Sequence, residues 1–286
     1  MKDAVTRIGF VGAGRMGVPM IRRLIAAGHA VQALGRTPEK HAALAESGAT
    51  VVSRASETGS GADAVVLCVF TDEQVRAVCL DGNLLSAMPP GSTLIVHTTA
   101  GPHTMTAVAE RAADHGVDVV DAPVSGGPHD IEAGTLTVFA GGAEDVVRRV
   151  RPLLACYADP ILHVGPLGAG QRVKLLNNAA FAAQLGVVAE IARLADRLGL
   201  EEATVLRALP HGSAGGRALA GAAARGSIGE FVSAVADFLT KDVAEVRAAM
   251  ARLGGDLGAL DPLIDACALE RPAHRIDTDG RPSPSW

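Results

Sequence analysis

Short apolar runs alternate with stretches of helical period over the first 165 positions; beyond them only the helical period continues. Ile8-Gly9-Phe10-Val11 predicts a first strand. Met20, Ile21, Leu24 and Ile25 mark the helix after it, which stops at Gly28. Positions 30–34 predict a second strand, and a helix over 38–47 starts with proline in its first turn. A short strand follows at 50–52. Positions 62–69 are apolar almost throughout, as a parallel strand covered on both faces requires. A helix near 72–80, a strand at 93–96, a helix at 102–115 and a strand at 117–120 continue the alternation. This is the pattern of a doubly wound α/β sheet. Positions 135–140 predict a strand in an antiparallel extension, 143–154 a helix, and 161–164 the last strand.

Gly165-Pro166 breaks the pattern. The longest helix then runs from about Gln171 to Leu198, with Gly199 as its stop. Further helices are expected near 201–209, 213–224, 233–253 and 259–269. The Pro-, Arg- and Ser-rich stretch 271–286 predicts disorder. The expected organisation is an α/β domain over 1–165, an all-helical domain over 166–270, and a tail. A length of 286 residues agrees with roughly two domains.

Candidate chemistry sits at the element ends. The first strand runs into Gly12-Ala13-Gly14-Arg15-Met16-Gly17, a G-x-G-x-x-G turn between strand and helix. Its glycines serve the turn, the approach of a pyrophosphate to the backbone, and close helix–strand packing. The new helix offers unpaired N–H groups and a positive dipole end to phosphate. The second strand ends in Gly35-Arg36-Thr37. No acid stands there to take ribose hydroxyls, Arg36 can pair with a 2′-phosphate, and Thr37 adds a hydroxyl. NADP(H) is therefore expected over NAD(H), with NAD possible. Ligands in such sheets lie beyond the carboxyl ends of the strands, which singles out Phe70, Thr71, Thr98, Thr99 and positions 122–127. Ser125-Gly126-Gly127 can receive a carboxylate on consecutive backbone N–H groups. On the long helix, Lys174, Asn177 and Asn178 fall at i, i+3 and i+4 and so share a face.

Composition removes other classes. Aromatics make up 3% and the formal charge is −5, which offers neither stacking surface nor basic footprint for nucleic acid. No Lys/Arg cluster suits a membrane surface, and no uninterrupted apolar stretch is expected to span a bilayer. Cys68, Cys79, Cys156 and Cys267 form no close pair and no metal-ligand spacing, so no metal and a reduced, cytoplasmic setting are expected. Cys68 reads as a small buried hydrophobe. The start Met1-Lys2-Asp3-Ala4 is charged and carries no signal-peptide pattern.

Four separated motifs together resemble the β-hydroxyacid dehydrogenases, the group of 3-hydroxyisobutyrate dehydrogenase and the semialdehyde and glyoxylate reductases. They are 12–20 with Pro19-Met20, Asp121-Ala122-Pro123-Val124-Ser125-Gly126-Gly127, 168–178, and Lys241-Asp242. The resemblance implies a Rossmann-type N-terminal domain, a long interdomain helix and an all-α C-terminal domain. It implies that Lys174 is the catalytic lysine and Asn178 its substrate-orienting neighbour. Ser125, Gly126 and Gly127 would grip a small carboxylate-bearing substrate, with Asp242 beside it. Gly12, Gly14 and Gly17 would hold the pyrophosphate, Thr98 or Thr99 would touch the nicotinamide side, and Lys241 would lie near the cofactor. Pairing through the helical domain, as a homodimer or homotetramer, is also implied. The implied reaction is hydride transfer between NADP(H) and a small 3-hydroxy acid or semialdehyde, with Lys174 moving the proton. Two departures stand out: Val96 where many members have Asp, and no closing glycine- and Asp-containing helix after Leu269. An imine reductase of related architecture and a non-catalytic NADP-binding module are the alternatives. A decarboxylase of the 6-phosphogluconate dehydrogenase type would need a basic cluster for its phosphate, which the sequence does not show.

Overall fold

A computed structural model of the chain describes residues 6–267. The elements of the first part, in order, are β1 (Arg7–Val11), α1 (Gly17–Ala26), β2 (Ala30–Leu34), α2 (Pro38–Glu46), β3 (Thr50–Val52), α3 (Ala55–Gly59), β4 (Ala64–Leu67), α4 (Asp72–Cys79), α5 (Leu84–Ala87), β5 (Thr93–Val96), α6 (Pro102–Ala113), β6 (Asp118–Asp121), β7 (Val124–Ser125), α7 (Pro128–Ala133), β8 (Leu136–Gly141), α8 (Glu144–Leu154) and β9 (Ala158–Gly165). Then come α9 (Ala169–Arg197), α10 (Glu202–Ala208), α11 (Arg217–Arg225), α12 (Ile228–Arg252) and α13 (Leu260–Ala266). The chain divides into two compact units between Lys174 and Leu175, inside the second turn of α9.

One sheet organises the first unit, in the order β3-β2-β1-β4-β5-β6-β8-β7, with β9 on β8. Strands β1 to β6 are parallel. The expected antiparallel extension is present: β8 runs against β6 and β7, and β9 is parallel to β8. Alternate residues of each strand feed opposite faces, because the side-chain period is two. Ile8, Phe10, Val66 and Ile95 pack with Met20, Ile21 and Leu24 of α1 on one face. Val11, Val65, Leu67, Leu94 and Val96 pack with Val75, Val78, Met105 and Val108 of α4 and α6 on the other. Cys68 is only half-buried, against the expectation of full burial, because it lies just past the end of β4.

The order reverses between β1 and β4, and their carboxyl ends meet at Gly12. Gly12 has φ +107, and a Cβ there would overlap the carbonyl oxygen of Cys68. A Cβ on Gly17 would overlap the Gly12 carbonyl and press on the Phe10 ring. Gly14 is different: nothing lies within 4 Å of where its Cβ would be.

Periodicity overlooks α3, α5 and α7, which have five, four and six residues. Elements that short cannot display a 3.6-residue repeat. The pair β7 hides in what reads as a glycine turn. Helix α12 begins at Ile228, five residues earlier than expected, with Ser227 as its extended N-cap residue. The 271–286 expectation falls outside the described residues.

In the second unit, Ala182, Leu185 and Val188 of α9 pack with Leu206, Leu219, Val243 and Ile264. A Cβ on Gly186 would overlap the Leu263 carbonyl, so α13 lies directly on α9 there. Arg247 ties α12 to α13 through Asp261 and Asp265 at 2.8 and 2.7 Å. By length and composition α9 is apolar enough to cross a membrane, although polar residues such as Gln184 and Glu190 interrupt its apolar run. Its packing in this core accounts for that composition.

His97 is buried at the end of β5. Its Nδ1–H donates to the Ala122 carbonyl at 2.6 Å, and its Nε2 accepts from the Tyr157 hydroxyl at 2.8 Å. Burial pushes the imidazole down to about 4 from 6.5, against the Ala122 bond. The unfolded chain therefore binds the extra proton first as pH falls, and native stability drops between about 6.5 and 4. His97→Gln is expected to flatten the acid limb of a denaturant-derived stability curve over that window by up to about 1.4 kcal/mol per pH unit. An unchanged slope refutes the assignment. The glycine turn gives a second contrast. Gly12→Ala is expected to cost about 2 kcal/mol or more, from the positive φ and the carbonyl overlap, and Gly14→Ala under about 0.5 kcal/mol. Urea unfolding of the two variants checks this directly.

Candidate active site

The turn after β1 is closed by its own backbone: the Gly14 N–H donates to the Gly12 carbonyl at 2.9 Å, and the Val18 N–H to the Gly14 carbonyl at 3.0 Å. Helix α1 follows with no side-chain cap and no acidic residue in its first turn. Its start is thus a positive dipole end without internal competition. Met16 occupies the N-cap position, Ala13 is half-buried, and Gly14 and Arg15 are exposed. The open space at Gly14 is what a phosphate needs to reach backbone. These residues fit a dinucleotide.

At the end of β2, Arg36 is exposed, and Thr37 rather than an acid follows it. Thr37 caps α2 by accepting from the Lys40 N–H at 3.3 Å. Glu39 is held below the ordinary carboxylate range by its own backbone N–H and then by the Thr37 hydroxyl. The hydroxyl proposed for the cofactor is thus engaged within its own helix turn. Thr71 likewise caps α4, taking the Gln74 N–H at 3.2 Å, while the Gln74 amide oxygen receives the Phe70 and Thr71 N–H groups. Thr98 is buried and stitches two strand ends together: its Oγ1 accepts from Val69 N–H at 3.0 Å and donates to the Val69 carbonyl at 2.9 Å. Thr99 is half-exposed and is the better placed of the pair to meet a ligand.

Three residues without an assigned role in the sequence reading hold this rim. Asp72 accepts from the Gly101 N–H and the Thr104 hydroxyl, both at 2.8 Å. Gln171, fully buried, takes the Ala100 N–H at 3.0 Å and gives its amide to the Thr98 carbonyl at 2.8 Å. Asp121, also fully buried, accepts the Gly168 N–H at 2.6 Å and the Gln171 N–H at 2.7 Å. It caps α9 from 50 residues away. Burial pushes its carboxyl upward, opposed by the Gly168 and Gln171 bonds. The signal available in sequence was a carboxylate closing the strand after Val119 and Val120, which needs partners when buried.

Lys174 follows Gln171 by three residues and is half-buried. Ser125 pairs with Thr137 in the β7–β8 ladder. Gly126 has φ +133, and the Gly127 N–H donates to Asp130 Oδ2 at 2.7 Å. In the second unit, Asn178 is buried, and its amide donates to Asp242 Oδ2 at 2.7 Å while its oxygen accepts from Asn177 at 3.2 Å. Lys241 Nζ lies 3.2 Å from Asp242 Oδ1. Among the described residues Asp242 Oδ1 has no hydrogen-bond partner, and its contact with Lys241 is an ion pair. The structure therefore gathers Asn178, Lys241 and Asp242 into one network.

Comparison with known proteins gives a consistent picture. Residues 7–165 match the NAD-binding domain of 6-phosphogluconate dehydrogenase, and residues 168–262 the NAD-binding domain of NADP-dependent 3-hydroxyisobutyrate dehydrogenase. A probable 3-hydroxyisobutyrate dehydrogenase of Mycobacterium tuberculosis is 38% identical over 68% of this chain and 66% of its own length. The 3-hydroxyisobutyrate dehydrogenase of Pseudomonas aeruginosa is 35% identical over 75% of this chain and 72% of its own. Among solved structures, the M. tuberculosis 3-hydroxyisobutyrate dehydrogenase with L-serine superposes with a TM-score of 0.82 at 30% identity, covering 93% of each chain. With the glycine turn, the capped lysine helix and the Asn178 network in place, the chain belongs to the β-hydroxyacid dehydrogenase family of NAD(P)-dependent oxidoreductases.

Proposed function

We propose that this chain reversibly transfers hydride between NADP(H) and a small 3-hydroxy acid or its semialdehyde. The observation that carries this reading is the polar series on α9: Lys174 half-buried, and one helical turn on, Asn178 buried against Asp242 and Lys241. Buried amides and charges need partners, and Asn178, Asp242 and Lys241 supply them for one another. When bound, a nicotinamide supplies hydride to the carbonyl carbon or takes it from the alcohol carbon. The Lys174 ammonium donates a proton to the nascent alkoxide in reduction; its free amine takes the hydroxyl proton in oxidation. The open face at Gly14 and the uncapped start of α1 would hold the pyrophosphate. Arg36 would pair with the 2′-phosphate, which supports NADP over NAD. Ser125 and Gly126 would orient the acid group. The M. tuberculosis relative was solved with L-serine, itself a 3-hydroxy acid, which supports the substrate class. Exposed Leu176, Val187 and Leu194 along α9, with Leu198 just past its end, support pairing of two copies through this helix.

Lys174→Ala is expected to lower kcat at least about 100-fold while the NADPH dissociation constant changes less than about threefold. Steady-state rates on a panel of semialdehydes, with NADPH titrated by fluorescence, measure both; near-normal turnover sinks the proton-transfer role. Arg36→Ala is expected to raise KM for NADPH at least about tenfold and leave KM for NADH nearly unchanged. Equal losses with both cofactors would remove Arg36 from 2′-phosphate recognition.

A further inference from the structure

Strands β5 and β6 separate at the rim of the sheet, and one side chain bridges the gap. Their ladder ends with Val96 opposite Asp121, and its last rung is the Ala122 N–H donating to the Val96 carbonyl at 2.8 Å. If the parallel ladder ran on, the Ala122 carbonyl would accept from the backbone of the neighbouring strand just beyond Val96. The His97 imidazole takes it here, with Nδ1 at 2.6 Å from the oxygen. A carbonyl only accepts, so the proton sits on Nδ1, and Nε2 is left to accept from the Tyr157 hydroxyl at 2.8 Å. His97 is 3% exposed and Tyr157 is fully buried, with the two rings edge to face at 5.7 Å between centroids.

The two segments joined in this way are those that the proposed reaction uses. Past His97 the chain enters Thr98 and Thr99, held on their other side by Val69 and Gln171. Past Ala122 it runs through Pro123, whose carbonyl accepts the Phe139 N–H at 3.0 Å, into the 124–127 turn. The Ala122 N–H belongs to the peptide before that residue and its carbonyl to the peptide after it. The ladder rung therefore fixes the first plane only, and the bond from His97 fixes the second. Without that bond the Ala122 carbonyl is buried and unsatisfied, and the turn after it relaxes to find another donor.

Resting on the function proposed above, we infer that His97 is a positioning residue. Through the Ala122 carbonyl it sets where the 123–127 turn stands against Thr98 and Thr99, and so where the reacting carbon of a bound acid stands against the nicotinamide. Its ring is buried behind both segments, so its loss misplaces the reactants more than it weakens their binding, and the effect falls on kcat rather than KM.

Three variants of the full chain separate the two hydrogen bonds. An Asn amide nitrogen comes near the place of Nδ1, and a Gln amide near that of Nε2. His97→Asn therefore keeps the bond to Ala122 and gives up Tyr157, His97→Gln does the reverse, and Tyr157→Phe removes the hydroxyl alone. Steady-state rates are measured with NADPH and the semialdehydes that the unsubstituted chain reduces, beside urea midpoints. His97→Gln is expected to lower kcat at least about tenfold while KM for NADPH and for the semialdehyde changes less than about threefold. His97→Asn and Tyr157→Phe are expected to keep kcat within about threefold, whatever stability they lose. Normal kcat in His97→Gln overturns the inference, and so does a kcat that simply follows the urea midpoint across the three variants. If His97→Gln does not fold, the other two decide: retained kcat in both supports the role of the Ala122 bond, and a loss in either overturns it. An unsubstituted chain that reduces no semialdehyde overturns the proposed function and this role with it, whereas normal turnover there with the wrong pattern among the variants overturns this role alone.

Discussion

A buried carboxylate at the mouth of a helix fixes much of this molecule. Asp121 ends the strand β6 and receives the N–H groups of Gly168 and Gln171, two of the donors that the start of α9 leaves unsatisfied. The charge also complements the helix dipole. Space for it is made by glycine: a Cβ on Gly141 or Gly170 would run into the Asp121 carboxylate. Once the first turn of α9 is held, Gln171 can grip the 98–100 segment with both ends of its amide. Lys174 then has a defined height and direction relative to the sheet rim, because it lies less than one turn further on. Desolvation opposes the charged form and sets the net upward direction, and the two hydrogen bonds counter it in part.

Much of this could be seen in the sequence. The parallel strands declare themselves through unbroken apolar runs, and the glycine turn through its place between strand and helix. What escaped is of two kinds. Helices α3, α5 and α7 are too short to show a period. The second kind is contact between distant positions: Asp121 with Gly168 and Gln171, Asp72 with Gly101, His97 with Tyr157. Local pattern carries no information about such pairs. The 168–178 motif was legible as chemistry, yet only its geometry shows that Gln171 serves the 98–100 loop.

Hydroxyls and carboxylates near the rim divide between structural and chemical duty. Thr37, Thr71 and Thr98 each use an oxygen for a cap or a strand end. Asp130 uses its carboxylate on the Gly127 N–H. A residue type suited to a ligand is therefore not the same as a group left available to one. The glycine at 14 shows the opposite condition: among the described residues, nothing lies where its Cβ would stand.

The boundary between the compact units has a practical consequence for recombining relatives. A chimera spliced at Gly165, where the β-strands end, would take Asp121 from one parent and Gly168, Gly170 and Gln171 from the other. Splicing after Lys174 keeps the carboxylate, both glycines and the glutamine from a single parent, and the seam then falls where the units themselves divide.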